Sequence, residues 1–198
     1  MKERPIIFNS EMVRSILDGR KTQTRRTIKQ QPYELADIDY DNSTDLFYDR
    51  GSNMNYKCPF GKVGDVLWVR ETFGVHPDYD DISEHGLIYK ADYNQSILND
   101  FKNEMGMKWT PSIHMPKWAC RLRLKITDIR VERLQSISEV DAIKEGLHGP
   151  FTGTDFNGIN QIGKKPSQCF AELWNSIYKN WDENPWVWVV EFETIKER

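Results

Sequence analysis

The feature that most constrains this chain is a stretch near its middle in which apolar and basic side chains alternate. Within residues 118–131 the alternating residues are Leu122, Leu124 and Ile126 on one side and Arg121, Arg123 and Lys125 on the other. Because successive side chains of a β-strand point to opposite faces, this order predicts a strand with one buried face. The basic side chains are then about 6–7 Å apart along the other face. That face is either a solvated exterior paired with acidic insertions or a surface that contacts phosphate groups.

The remaining patterns predict a single α+β domain over residues 1–198. Helices are expected near 10–18, 138–146 and 167–180, where apolar residues follow a capping or initiating residue at helical spacing. Further strands are expected near 5–8, 22–28, 63–71 and 186–193. Insertions are expected where polar residues dominate, at about 30–57, 72–116 and 148–165. The first insertion is expected to be a loop or hairpin, and the second to contain a helix near 94–105.

Composition excludes several classes of protein. The net charge of −3 argues against a generally cationic nucleic-acid binder, although the first 29 residues are locally basic. No apolar run approaches the length of a membrane span, and the first residues lack the apolar stretch of a signal peptide. Cys58, Cys120 and Cys169 are widely spaced and form no CxxC pair. We therefore expect a cytoplasmic protein with no disulfide framework, no metal site and no cofactor.

A dense polar run follows the first predicted helix. Gly19 suits the left-handed conformation in which a helix often ends. The residues after it include Arg20, Lys21, Thr22 and Thr24, and then two more arginines at 25 and 26. One interpretation is that Arg20 and Lys21 are cations that favour the negative end of the helix dipole. The other is that the run binds an anion or carries acid/base chemistry. The residues alone favour the first interpretation.

This run, Gly-Arg-Lys-Thr-x-Thr-x-Arg over residues 19–26, resembles the signature of ASCH-domain proteins. Residues 62–71, 134–147 and 184–192 resemble that family's glycine–aspartate strand, second helix and closing strand, in the family's order. The resemblance implies a PUA-like, mostly antiparallel β-barrel flanked by helices, associated with RNA. The length, the segment at 111–116 and the tryptophan-rich end are similar to ASCH proteins encoded by phages and prophages.

Small bacterial members of this family are amidohydrolases that release acetate from N(4)-acetylcytidine. The resemblance places their catalytic lysine, threonine and glutamate on Lys21, Thr24 and Glu145. Amide hydrolysis needs a nucleophile, a base, an acid and stabilisation of the oxyanion. Thr24 is then the nucleophile, Lys21 the base or the oxyanion-stabilising cation, and Glu145 the acid. We expect these residues to lie outside the core, so that alanine substitutions change stability little.

Other interpretations remain open at this point. Residues 21 and 24 face opposite sides of a regular strand, so the site requires a bend between them. Glu145 alone would be read as a helix-surface carboxylate. The alternative functions are an RNA-binding ASCH module, with or without ribonuclease activity, and a non-catalytic phage accessory protein. Binding of a nucleoside or RNA is expected to involve Arg20, Arg25, Arg26, Arg121, Arg123 and Lys125.

Overall fold

The computed structural model describes residues 1–33, 36–76, 86–103, 107–147 and 163–195. In chain order its elements are β1 (Glu3–Ile7), α1 (Ser10–Leu17), β2 (Gln23–Thr27), β3 (Ile38–Asp41), β4 (Leu46–Asp49), β5 (Asn55–Tyr56), β6 (Val66–Arg70), β7 (Phe73–Val75), β8 (Leu87–Tyr89), α2 (Gln95–Asn103), β9 (Arg123–Arg133), α3 (Glu139–Lys144), α4 (Pro166–Ile177) and β10 (Trp186–Thr194).

A five-stranded sheet organises these elements, in the order β1-β6-β9-β10-β2. Only β1 and β6 pair in parallel, and the other three pairings in this sheet are antiparallel. The strands expected around 64–70, 119–131 and 186–193 therefore lie in one sheet, as predicted. The class α+β with a mostly antiparallel sheet is also confirmed.

Alternation along β10 divides the protein into two cores. On one face, Trp188, Val190 and Phe192 pack against side chains of α1 and β4, and we call this cluster the inner core. On the other face, Val187 and Val189 pack against side chains of α3 and α4, and we call this cluster the outer core. Full burial of such a side chain contributes about 1.5–3 kcal/mol, so both faces of the sheet are held by apolar packing.

The helices begin where the sequence places their caps. The Asn9 side chain accepts a hydrogen bond from the Met12 N–H at the start of α1. Ser138 does the same for the Asp141 N–H at the start of α3, and Pro166 is the first residue of α4. These contacts satisfy N–H groups that have no partner inside the helix. The three helices predicted near 10–18, 138–146 and 167–180 are confirmed.

The insertions have more structure than loops. The first forms a separate three-stranded sheet from β3, β4 and β5. The second contains the β7–β8 hairpin and α2, close to the predicted helix. The third insertion falls largely on residues 148–162, which lie outside the described part of the chain. The central strand β9 begins at Arg123 rather than near residue 118, because Lys117–Ala119 forms a short 3₁₀ turn.

The predicted closed barrel is not formed, because β1 and β2 remain the two edges of the described sheet. Backbone from the end of α3 occupies the free edge at the start of β2, where the Thr22 N–H donates to the Lys144 carbonyl over 2.8 Å. The two edge strands are linked instead by a side chain: Arg26 Nη2 donates to the Ile7 carbonyl over 2.7 Å. Within the described residues, no helix combines the length and hydropathy that a membrane span requires.

Candidate active site

A tight turn after α1 sets the position of Lys21. Gly19 has a φ of +73°, the left-handed conformation that glycine adopts without steric cost. The backbone N–H groups of Arg20 and Lys21 both donate to the Ser15 carbonyl, over 2.9 and 2.8 Å. The chain thus turns back on its own helix, and Lys21 lies just before β2 begins at Gln23. The alternation of β2 therefore does not determine the direction of the Lys21 side chain.

Lys21 contacts Glu145 directly, although 124 positions separate them in the sequence. Lys21 Nζ donates to Glu145 Oε2 over 2.7 Å and to the Glu145 carbonyl over 3.0 Å. The Lys21 side chain is 1% exposed and that of Glu145 is 5% exposed. A backbone bridge between the same two residues holds the segments together.

Gly146 allows this close approach. A Cβ atom at that position would lie 2.9 Å from the Ser15 Cβ and 3.1 Å from the Lys21 Cβ. The φ of Gly146 is +92°, which other residues rarely adopt. The sequence Glu145-Gly146 therefore joins a carboxylate to a residue without a side chain at the point where α3 meets the turn after α1.

Burial changes the proton affinity of Lys21. Desolvation lowers the pKa of its ammonium group below the usual 10.5, while the charge and hydrogen bond of Glu145 oppose that shift. An ammonium group has three N–H donors, and the described hydrogen bonds use two of them, both to Glu145. The third is available to a substrate oxygen. The Phe8 ring centroid lies 5.8 Å from Nζ.

Glu145 has a second cationic partner, Arg25, whose side chain is fully buried. Arg25 Nη1 donates to Glu145 Oε1 over 3.3 Å, so the two oxygens of this carboxylate face two different cations. Arg25 Nη2 also donates to Glu132 Oε2 over 3.1 Å and to Asp141 Oδ2 over 3.4 Å.

Arg130 extends this cluster by contacting Glu132, Asp141 and Glu191. We call Arg25, Arg130, Glu132, Asp141 and Glu191 the outer charge network. Arg25 is among the residues predicted to bind a nucleoside or RNA, and the other four members are not among the predicted site residues. Two sequence features could have indicated this network. Acidic and basic residues alternate at 128, 130 and 132, and two acidic residues lie four positions apart at 141 and 145.

Thr24 is buried on the other face of β2. It pairs with Val190 in the sheet and therefore faces the inner core, and it is 2% exposed. Both described hydrogen bonds of the Lys21 ammonium go to Glu145, so the hydroxyl is not its present partner. The expectation that Lys21, Thr24 and Glu145 lie outside the core is wrong, because all three are buried.

The six cations proposed to bind a nucleoside or RNA do not form one surface. Arg25 is buried, Arg20 contacts Asp18 over 2.8 Å, and Arg26 contacts the Ile7 carbonyl and the Tyr178 hydroxyl. Arg26 and Lys21 both lie near the Phe8 ring. Arg20 precedes Lys21 in the turn before β2 and donates to the Gly146 carbonyl over 3.0 Å, whereas Arg26 lies within β2.

The predicted basic ladder is interrupted at Arg121, which precedes β9. Its guanidinium donates twice to the buried carboxylate of Glu71, over 2.9 and 3.0 Å, and once to Asp92. Arg123 and Lys125 do lie within β9 on its outer face, and Lys125 contacts Glu193 over 3.2 Å. Arg121 thus anchors the second insertion to the main sheet, away from Lys21.

Three cavities lined by described residues lie elsewhere. The most enclosed of these, about 220 Å³, is between the β3–β4 hairpin and the loop before β6, next to Tyr40 and Lys62. The other two are near Asn184 and near Tyr48. Among the described residues, no group of histidine, cysteine or acidic side chains is arranged to hold a metal ion.

Comparisons with known proteins do not extend this picture. No family model, curated protein or solved structure matches the chain.

Proposed function

We propose that this protein is an ASCH-type, PUA-like amidohydrolase that removes the acyl group from an acylated nucleoside such as N(4)-acetylcytidine. The observation that carries the proposal is the buried contact between Lys21 and Glu145. The resemblance assigns catalytic roles to these two residues, which are distant in sequence, and folding places them 2.7 Å apart. A buried lysine–carboxylate pair beside a threonine-bearing strand supplies the groups that amide hydrolysis needs.

In the proposed reaction, the Thr24 hydroxyl attacks the amide carbon and its proton passes to Lys21. The lowered pKa of Lys21 favours this step, since a lysine of ordinary pKa is fully protonated at neutral pH. Glu145 protonates the leaving nitrogen with a proton that it takes from Lys21, before the attack, along their 2.7 Å hydrogen bond. Water then releases the acyl group and gives its proton to Glu145, while Lys21 returns a proton to Thr24. The alternative role for Lys21 is to remain charged and to stabilise the oxyanion with its third N–H group. Because all three side chains are buried, the substrate enters only after a local opening.

The test is incubation of the purified protein with a panel of acylated nucleosides, followed by mass spectrometry of the released nucleoside and acid. Thr24→Val, Lys21→Ala and Glu145→Gln should each lower turnover by at least about 10²-fold, the lower range for a lost nucleophile or acid/base group. Thr27→Val is the matched control, because Thr27 lies on the opposite face of the same strand and its buried hydroxyl has no hydrogen-bond partner among the described residues. It should retain turnover. Circular dichroism confirms folding of every variant.

The Lys21→Arg variant separates the two roles of Lys21. Arginine keeps the charge but does not act as a base at neutral pH. Retained activity would assign oxyanion stabilisation to Lys21, and lost activity in a folded variant would assign proton transfer. The absence of product from every nucleoside in the panel would contradict the proposed function.

RNA binding is the second proposal, and the position of Arg123 and Lys125 supports it. Both alternate with buried Leu124 and Ile126, so their side chains lie on the outer face of β9. The Arg123→Ser/Lys125→Ser double variant should weaken RNA affinity and flatten its dependence on salt. Unchanged affinity would make this face an ordinary solvated surface. Failure of both proposals would favour a non-catalytic accessory role in a phage or prophage.

The reaction needs no cofactor, and we place it in the cytoplasm. The three cysteines are free thiols, which fits a reducing compartment.

A further inference from the structure

The orientation of Glu145 is fixed from two sides. Its Oε2 atom accepts from Lys21, and its Oε1 atom accepts from Arg25 Nη1 over 3.3 Å. A carboxylate held by one cation can rotate about its terminal torsion, because sp³–sp² torsions are broad. Contact with a second cation removes that freedom. Arg25 therefore determines which oxygen of Glu145 faces Lys21.

Arg25 is itself held by groups that do not contact Lys21. Its Nη2 atom donates to Glu132 on β9 and to Asp141 on α3. Its guanidinium carbon lies 5.9 Å from the centroid of the Phe170 ring on α4. With a side chain that is fully buried and contacts from three elements, this guanidinium has little room to move.

Apolar packing alone does not fix α3, the helix that carries Glu145. The helix has six residues, of which Ala142 is buried and the others are exposed or half-buried. Asp141 contacts Arg25 and Arg130, and Lys144 contacts Glu191 over 3.2 Å. The outer charge network thus attaches α3 to the sheet.

We infer that Arg25 is a positioning residue, which holds Glu145 against Lys21 through its own hydrogen bond to the Glu145 carboxylate, without touching the substrate. This inference rests on the proposed amidohydrolase function. The charged groups around Glu145 are Lys21 and Arg25, with Glu132 and Asp141 behind Arg25 and the charge of Arg26 acting on Lys21. Arg25 is therefore one of the two cations that contact this carboxylate directly.

Arg25→Gln is the test variant, and Arg130→Gln is its matched control. Arg130 shares Glu132 and Asp141 with Arg25 as partners, but its described contacts do not include Glu145. Arg25→Gln should lower kcat on N(4)-acetylcytidine by about 10- to 100-fold, the range for a misplaced acid/base group. KM should stay nearly constant.

Arg25→Lys should recover part of the lost kcat, since it keeps the charge but not the two-armed geometry. Arg130→Gln should keep both kcat and KM, even where its thermal stability falls. Equal losses of kcat in Arg25→Gln and Arg130→Gln, with no recovery in Arg25→Lys, would overturn the inference and make Arg25 a purely structural residue.

Crystal structures of the two variants test the positioning separately from activity. In Arg25→Gln, Glu145 Oε2 should move beyond about 3.5 Å from Lys21 Nζ, the limit of a hydrogen bond. In Arg130→Gln it should stay in contact. If the wild-type protein has no amidohydrolase activity but Glu145 moves as expected, the proposed function fails and the positioning survives. If Glu145 stays in place in Arg25→Gln, the positioning inference fails.

Discussion

The buried contact between Lys21 and Glu145 makes a quantitative prediction about stability. Lys21→Met removes the cation and leaves Glu145 buried beside Arg25, and Glu145→Leu removes the carboxylate and leaves Lys21 buried without its partner. Breaking a buried ion pair from one side costs about 3–5 kcal/mol, because the remaining charge stays buried without that partner. Lys21→Met should lie at the lower end of this range, since Glu145 keeps its contact with Arg25. Both side chains are at most 5% exposed, so solvent screening reduces this cost little.

The double variant Lys21→Met/Glu145→Leu should be much closer to the wild type than either single variant. Replacing both members of a buried pair with apolar residues of similar volume is often neutral or stabilising. Arg25 keeps Glu132 and Asp141 as partners in that variant. We expect the double variant to lose no more than about 2 kcal/mol, which gives a clear coupling energy in a double-mutant cycle.

Urea unfolding at pH 7, followed by circular dichroism, measures these free energies. Since each kcal/mol shifts Tm by about 2–4 °C in a domain of this size, each single variant should lose about 6–20 °C. Lys125→Met is the control, because the Lys125–Glu193 pair is 50% and 59% exposed and such pairs contribute about 0–1 kcal/mol. Losses below about 1 kcal/mol in both single variants of the buried pair would show that it is solvated, and would refute the reasoning.

Three further predictions concern the protonation and pairing of buried ionisable groups. The unfolding free energy of the wild type, relative to Lys21→Met, should rise between neutral pH and the ordinary lysine pKa of 10.5. The reason is that burial lowers the folded-state pKa of Lys21, so the unfolded chain binds more protons in that window; a flat difference in pH-dependent urea unfolding would contradict this. Burial raises the pKa of the Cys58 thiol to about 11 from 9.0, so its native thiolate fraction at pH 8 is about 10²-fold below that of the unfolded chain. Peptide mapping after alkylation should show at least that ratio in rate, and equal rates would refute it. Arg121→Met should lower the free energy of unfolding by about 3 kcal/mol or more, because the Glu71 carboxylate, which is 1% exposed, loses its bidentate partner. A loss under about 1 kcal/mol in urea unfolding would show that Glu71 is protonated or hydrated without Arg121.

Local sequence order determined the secondary structure of this protein. The alternation of Leu124 and Ile126 with basic residues specified a strand with one buried face, and both apolar residues are fully buried. Asn9 and Ser138 specified the starts of α1 and α3, where their side chains accept the expected hydrogen bonds. These features depend on residues a few positions apart, whose geometry is set by the period of the helix or strand. A resemblance, rather than periodicity, connected Lys21 with Glu145.

Only the tertiary structure decided burial and charge pairing. Arg121 and Arg123 lie on the same side of the alternating pattern. Arg121 nevertheless pairs with Glu71, 50 positions away, and anchors the second insertion through Asp92. The first insertion, read as a loop or hairpin, forms its own sheet because Phe47 and Tyr56 reach the inner core. The sheet stays open because the end of α3 occupies the edge of β2. An acidic or basic side chain carries no local signal of its partner, since Coulomb attraction acts between any charges that folding brings together. For that reason the sequence supplied Lys21, Arg25 and Glu145 as candidates, and the fold alone joined them into one buried cluster.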